Sequence, residues 1–249
     1  MKQSIVFAVA LVFPAMVAIA GSPSDNTIAT DKGPVTIHAL EHATFVMQWN
    51  GATIAVDPVD GGASFERFGK ADLILITDIH GDHLSVDTVA AVAGPSTLIV
   101  GPAAVAEKFP EADRGRVTVL ANGESVAWGE SAIEAIPMYN LAPERQSFHA
   151  KGRGNGYLLT LGGARIYISG DTEDIPEMRS LEDIDAAFVC MNLPYTMEVT
   201  AAADAVLEFK PKVVIPYHYR GKGGMSDVDE FRSIVAKKSK IEVRLLEWY

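Results

Sequence analysis

The chain has 249 residues, 48% of them hydrophobic and 21% charged, which is ample for one sizeable core in one domain. Its formal net charge of −11 disfavours nucleic acid and anionic membranes as general partners, and its single cysteine excludes an intrachain disulfide.

Met1-Lys2-Gln3 gives a short positive start, and Ile5 to Ala20 is almost wholly apolar, ending in the small-residue pattern Ala18-Ile19-Ala20. The stretch is too short and wrongly flanked for a comfortable membrane span. It reads as a secretory signal peptide over residues 1–20, against the competing reading of a retained N-terminal anchor. Without it, 20 basic residues face 32 acidic ones. The expectation is an exported protein, periplasmic or secreted, with no stable membrane association after cleavage. Residues 21–33, rich in Gly, Ser, Asp and Thr, read as a flexible lead-in, and residues 34–249 as the folded domain.

Residues 35–38, 44–49 and 53–56 read as sequential strands, with Asn50-Gly51 a strong hairpin signal between the last two. Residues 73–77 form the next strand. Residues 85–93 read as a helix with Ser85 as N-cap, 98–101 as a short apolar strand and 102–109 as a short helix. Segments 117–120, 125–128 and 133–136 alternate like meander strands, and 157–161 pairs with 165–169 across Gly162-Gly163. Two more buried strands, 186–190 and 213–217, are interleaved with and followed by helices over 200–209 and 226–236. Cys190 lies in the apolar run Ala186-Ala187-Phe188-Val189-Cys190 and reads as a buried small hydrophobe. An antiparallel first half beside late β-α-β units implies an α+β fold of layered sheets with helices outside. The sequence shows no internal repeat.

Thr77-Asp78-Ile79-His80-Gly81-Asp82-His83 follows the apolar run that ends in Ile76, so four potential metal ligands follow one buried strand. Gly170-Asp171-Thr172 ends another strand, Tyr217-His218 a third, and Pro137-Met138-Tyr139-Asn140 a fourth, with His149 nine residues further on. Alone, Asp171 would read as a turn residue and His218 as a satisfied core histidine. Occurring together after buried strands, they converge on one rim of a sheet, where sites on layered folds lie.

Asp78-Ile79-His80-Gly81-Asp82-His83, Gly170-Asp171-Thr172 and Tyr217-His218-Tyr219 resemble the metallo-β-lactamase superfamily of metal-dependent hydrolases. Glu41-His42-Ala43-Thr44 and Asp57-Pro58 resemble its ascorbate-phosphate-lactonase-like and phospholipase-D-like branches. The resemblance covers residues 34–249 and implies a single-domain, four-layer αββα sandwich. Against the family's His-x-His-x-Asp-His motif, His80, Asp82 and His83 match, whereas Asp78 stands in place of the first histidine and Asn140 in place of the third. The resemblance therefore implies a complete second metal site of Asp82, His83, Asp171 and His218. It implies an altered first site of Asp78, His80 and Asp171 with either Asn140 or a displaced His149. The implied cofactor is Zn²⁺, one or two ions, with Mn²⁺ or Fe²⁺ as alternatives for an oxygen-richer site.

The implied chemistry is hydrolysis by metal-activated water of an ester, lactone, amide or phosphoester bond, with Asp82 orienting or deprotonating the water. His42 and Asp57 are expected to support metal ligands or contact substrate. Tyr139, Tyr195 and Tyr219 are candidate donors near the leaving group. Arg145, Lys151 and Arg153 flank His149, while Arg220 and Lys222 follow His218, which points to a small anionic substrate. A non-catalytic metal- or ligand-binding protein on a degenerate hydrolase scaffold is the alternative, kept open by Asp78 and Asn140. A nuclease is disfavoured by charge, and a true β-lactamase does not follow from the fold. Mass spectrometry of the native exported protein should find its N-terminus at Gly21; an intact Met1 on a cytosolic protein would contradict the signal-peptide reading.

Overall fold

The structure, a computed structural model, describes residues 26–249. The expected signal peptide lies outside the described residues. Among the described residues, no helix is long and apolar enough to cross a membrane.

One sheet holds, in chain order, β1 (Thr27–Ile28), β2 (Val35–Glu41), β3 (Thr44–Trp49), β4 (Ala52–Val56), β5 (Ala71–Leu75), β6 (Ala93–Gly101) and β7 (Val117–Val119). Pairing is antiparallel from β1 to β4 and parallel from β4 to β7. The change follows from the connections. Asn50 and Gly51 turn β3 into β4 with φ of 49° and 80°, the left-handed pair a two-residue hairpin needs. Between β5 and β6 the chain instead crosses through helix α1 (Val86–Val92), whose N-cap Ser85 accepts the Thr88 N–H at 3.2 Å.

The second sheet repeats this plan. Strands β8 (Ser125–Trp128), β9 (Ser131–Met138), β10 (Gly154–Leu161) and β11 (Ala164–Ile168) are antiparallel; β11, β12 (Ala186–Cys190), β13 (Val213–Tyr217) and a short last strand, Glu242–Val243, are parallel. No repeat in the sequence announces the shared plan. Helix α2 (Ala103–Ala106) accompanies the first sheet, and α3 (Pro176–Arg179), α4 (Val199–Phe209) and α5 (Val228–Lys238) accompany the second.

Strand periodicity sorts side chains into layers. On β3, Phe45 and Met47 enter the core between the sheets while Val46 faces the helices; on β5, Leu73 and Leu75 go inward and Ile74 outward. Val46 and Ile74 pack with Val89 and Val92 of α1 and Val105 of α2. The outer helices of the second sheet add Val206, Phe209, Phe231 and Val235. The result is the expected αββα sandwich in one domain. Phe45 stacks on Phe188 across the sheets at 4.4 Å, and Trp248 closes edge-on against Phe45 at 5.8 Å. Burial of such rings supplies much of the driving force for layering.

The lead-in boundary needs correction. Residues 26–33 belong to the fold: β1 pairs with β2, Ile28 is buried, the Trp49 Nε1–H donates to Thr30 Oγ1 at 3.0 Å and the Asp31 N–H to the Gly162 carbonyl at 2.8 Å. A two-residue edge strand is too short to show periodicity among polar neighbours. Two helices also shift. The expected 102–109 helix shortens to Ala103–Ala106, with Phe109 buried past its end. Helix α5 starts after Asp227, whose carboxylate accepts the Glu230 N–H at 2.8 Å, because the Ser226 hydroxyl is engaged by the Met191 carbonyl. Deleting residues 21–33 from the mature protein should cost about 1–3 kcal/mol in urea unfolding, the worth of a few hydrogen bonds. An unchanged midpoint would restore the reading of a lead-in outside the fold.

Candidate metal centre

The parallel strands of both sheets deliver their carboxyl ends to one rim. Asp57 follows β4, Thr77 and Asp78 follow β5 by two and three residues, Asp171 follows β11, Asn192 follows β12 and His218 follows β13. The rim is stitched across the sheets: Asn155 N–H donates to the Thr77 carbonyl at 2.9 Å and the Tyr157 hydroxyl to the Ile76 carbonyl at 2.7 Å. Gly170 turns the chain into Asp171 with φ of 61°, where an added Cβ would lie 3.2 Å from the Asn155 carbonyl oxygen. His42, Asp57 and His218 all adopt left-handed φ, at 57°, 44° and 47°. Such conformations are costly for non-glycine residues and cluster where surrounding contacts over-determine them.

His83 and Asp57 are both fully buried. His83 Nδ1 lies 2.8 Å from Asp57 Oδ2, and Asp57 also accepts the Thr77 N–H at 2.7 Å and the Thr77 hydroxyl at 2.6 Å. A carboxylate at Nδ1 holds the proton there and turns Nε2 inward. That Nε2 is 3.3 Å from Asp171 Oδ2 and 3.2 Å from His218 Nε2. His218 Nε2 is in turn 3.1 Å from Asp171 Oδ1 and 3.5 Å from Asp82 Oδ2. Burial by itself would raise the Asp171 pKa, but the imidazoles of His218, His83 and His149 draw it well below the carboxylate range. Burial likewise would lower His83, yet Asp171 and Asp57 on its two sides hold it well above the imidazole range.

Such a donor set fits a divalent cation. Ligand atoms of His83, Asp171 and His218 lie within 4.8 Å of one another, and Asp171 Oδ1 is buried without a hydrogen-bond partner. Two imidazole nitrogens and a carboxylate meeting in a buried space suit zinc, manganese or iron.

The other end of the cluster is differently built. His80 Nδ1 lies 2.7 Å from Asp78 Oδ2, and Arg153 holds the same buried carboxylate through Nη2 at 2.9 Å and Nε at 3.2 Å. The His149 loop folds back, placing Nε2 3.1 Å from Asp171 Oδ2. Asn140 stands behind it, its Nδ2 3.2 Å from His149 Nδ1. Its Nδ2 donates to the carbonyls of Tyr195 at 2.7 Å and Arg145 at 2.9 Å, so it shapes the loop that carries His149. Its amide hydrogens are thus consumed by backbone, while its Oδ1, the atom with which an amide can ligate a metal, is buried without a hydrogen-bond partner.

A cavity of about 500 Å³ opens over the cluster, lined by His42, His80, Asp82, Phe148, His149, Asp171, Asn192, Tyr195 and residues 220–222. Asp82, 38% exposed, faces it. His42 Nδ1 meets His218 Nδ1 at 3.0 Å and the Tyr249 hydroxyl at 2.9 Å, behind the cluster. Burial and His218 bring the His42 pKa down to about 4, so this ring is neutral near pH 7. Tyr139 is misplaced by the sequence reading: its hydroxyl donates to Glu177 at 2.9 Å and accepts from Lys151 at 3.3 Å, away from the cavity. The basic flank is also less available than its sequence implies. Arg145 pairs with Glu173, Lys151 with Glu177, Arg153 with Asp78 and Arg220 with Glu41. Of the five flanking cations, Lys222 is the one at the cavity wall without an ion pair among the described residues.

Several contributors escaped the sequence. Glu173 Oε2 accepts the N–H groups of Leu141 and Ala142 at 2.7 and 2.8 Å, anchoring the His149 loop to the Asp171 segment. Asn192 Nδ2 lies 3.2 Å from His218 Nε2. Tyr249 reaches the site from the far end of the chain. Glu173 stood two residues from Asp171 and was legible as a neighbour; Asn192 and Tyr249 carry no motif. Cys190, pushed up to about 12 by burial, stays outside the cluster as a buried thiol.

Residues 36–218 match the model of the β-lactamase superfamily domain. A metal-dependent hydrolase of Pyrococcus furiosus is 31% identical over 222 residues, covering 84% of this chain and 96% of its own. A crystal structure from Parabacteroides distasonis, also described as a metal-dependent hydrolase, superposes with a TM-score of 0.82 at 41% identity, over 90% of this chain and 98% of the other. A metallo hydrolase of Ignicoccus hospitalis shares the fold, with a TM-score of 0.72 at 21% identity over 86% of this chain and 95% of its own. The chain belongs to the β-lactamase superfamily. These comparisons leave the lactonase-like and phospholipase-D-like branches unassigned.

Removing the carboxylate behind His83 tests the geometry. Asp57→Asn should weaken zinc binding roughly 10–100-fold, the usual cost of losing such a partner, read by competition with a chromophoric chelator. Because the metal-free protein holds His83 above its ordinary pKa, binding near pH 7 displaces a proton, and apparent affinity rises with pH. Unchanged affinity in Asp57→Asn would separate His83 from the metal.

Proposed function

We propose that this member of the superfamily is an exported hydrolase that cleaves an ester, lactone, amide or phosphoester bond in a small substrate bearing one negative group. The observation that carries the reading is the meeting of His83, His218, Asp171 and Asp82 beneath an open cavity. We assign these four as the ligands of a divalent metal, zinc in preference to manganese or iron. When bound there, such a metal lowers the pKa of water and polarises the oxygen of the bond under attack.

The residues divide the remaining work. Asp82, exposed to the cavity at its rim, orients the attacking water and accepts its proton. Asp57 fixes the ring of His83, and His42 that of His218, each through the nitrogen that faces away from the metal. Asn192 and the Tyr195 side of the cavity contact the substrate. The substrate's negative group pairs with Lys222, which lines the cavity and forms no ion pair among the described residues. A single unpaired cation supports a monoanionic handle better than the broad basic surface the sequence suggests. The alternative is a degenerate binding scaffold, which Asp78 and Asn140 keep open, although His149 brings a nitrogen donor to 3.1 Å from Asp171.

Metal-loaded protein should be tested on a panel of lactones, esters, amides and phosphodiesters, each in neutral and anionic form. His83→Ala and His218→Ala should each abolish tight metal binding and reduce turnover at least ~10²-fold. His38→Ala, whose ring bonds Gln48 at 3.1 Å on β2, should change neither. Lys222→Met should raise KM for the anionic member and leave the neutral one unchanged. Full metal loading with no hydrolysis across the panel would favour the binding-protein alternative.

A further inference from the structure

We infer that the guanidinium of Arg153 takes the place of the first metal, so that the chain holds one divalent ion per molecule where a two-metal centre would hold two. The inference rests on the metal-dependent reading above.

Asp78 is fully buried, and Arg153 grips both of its oxygens from the side, at 2.9 Å and 3.2 Å. Arg153 is itself fixed by a bond from Nη2 to the Phe148 carbonyl, one residue before His149. A planar guanidinium held at three points is a permanent charge, since it does not deprotonate in proteins. Asp78 Oδ2 also faces His80 Nδ1 at 2.7 Å. Ligand atoms of Asp78, His80 and His149 do lie within 4.8 Å of one another, but the charge of Asp78 is already matched by Arg153. The third, His149 Nε2, points to Asp171 Oδ2 at 3.1 Å. A divalent ion placed here would also sit against a fixed positive charge in buried surroundings, where screening is weak.

The opposite end carries no such fixed side-chain cation among the described residues. The rings of His83 and His218 satisfy Nδ1 on Asp57 and His42 and turn Nε2 inward. Among the described residues, no arginine or lysine forms an ion pair with Asp82 or Asp171, the two carboxylates at that end. The two ends of the cluster thus differ in charge: one carries its cation as a side chain, the other waits for one. A consequence is that His80, 41% exposed in its side chain, keeps a free Nε2 on the cavity wall.

Metal counting separates the possibilities. Metal-free full-length mature protein is titrated with Zn²⁺ against a weak chelator, and bound zinc is counted by mass spectrometry of the elements after gel filtration. The expected count is one per chain in the parent and still one in His80→Ala, with affinity changed by much less than the roughly 10–100-fold that losing a ligand's supporting partner costs. Asp78→His alone should stay at one, because the Arg153 charge remains. Asp78→His with Arg153→Met should rise to two. Two ions of similar affinity in the parent, loss of an ion in His80→Ala, or a folded double variant that still binds one would overturn the inference. If the double variant does not fold, the parent and His80→Ala counts decide. A parent that binds no zinc would overturn this inference together with the metal-dependent reading, whereas a parent that binds two overturns this inference alone.

Discussion

The site depends on one buried carboxylate held among three imidazoles. Asp171 is 2% exposed and faces His83, His218 and His149 at 3.1 to 3.3 Å. An isolated carboxylate in that position would be strongly unfavourable, and so would two or three uncompensated imidazoles. Each group makes the burial of the others tolerable. Against the pull of burial, Asp171 and Asp57 hold His83 well above the imidazole range, so its charge offsets theirs. A metal at Nε2 would displace the proton facing Asp171 and leave the one facing Asp57, which couples metal affinity to pH.

The rest of the molecule aims groups at this carboxylate. Each sheet runs antiparallel, then parallel, so the parallel strands bring Asp57, Asp78, Asp171, Asn192 and His218 to the same rim. Rigidity at that rim comes from the stacked rings beneath it. Phe45 and Tyr217 contact each other, and each contacts both Phe188 and Trp248; Tyr217 directly precedes His218. The Tyr217 hydroxyl also accepts the Gly170 N–H at 2.9 Å, joining the segments that supply His218 and Asp171. The chain's final residues then return to the site: Trp248 is buried under it and Tyr249 holds His42. Left-handed conformations at His42, Asp57 and His218 are the local cost of that aim.

Much of this was legible in the sequence, because strand periodicity and strand-end residues are local signals. The Asp78–His83 segment, Gly170-Asp171 and Tyr217-His218 each announced a rim position, and Asn50-Gly51 announced its hairpin. What the sequence hid was long-range pairing. Arg153 read as one of several flanking cations, and only the fold shows it spanning 75 positions to Asp78. The Asn140 amide nitrogen is held by the carbonyls of Arg145 and Tyr195, the latter 55 positions away. Tyr139 left the cavity for Glu177, and β1 was too short to show a pattern. The shared plan of the two sheets is invisible in the sequence because it is a matter of strand direction, which hydrophobic patterning does not encode.

The central claim is that the imidazoles around Asp171 bind the metal. X-ray absorption at the zinc edge of protein loaded with one equivalent tests it most directly. The account predicts a shell of nitrogen and oxygen alone, with outer-shell scattering from at least two imidazoles and no sulfur. A sulfur contribution, or an oxygen-only shell without imidazole scattering, would contradict it.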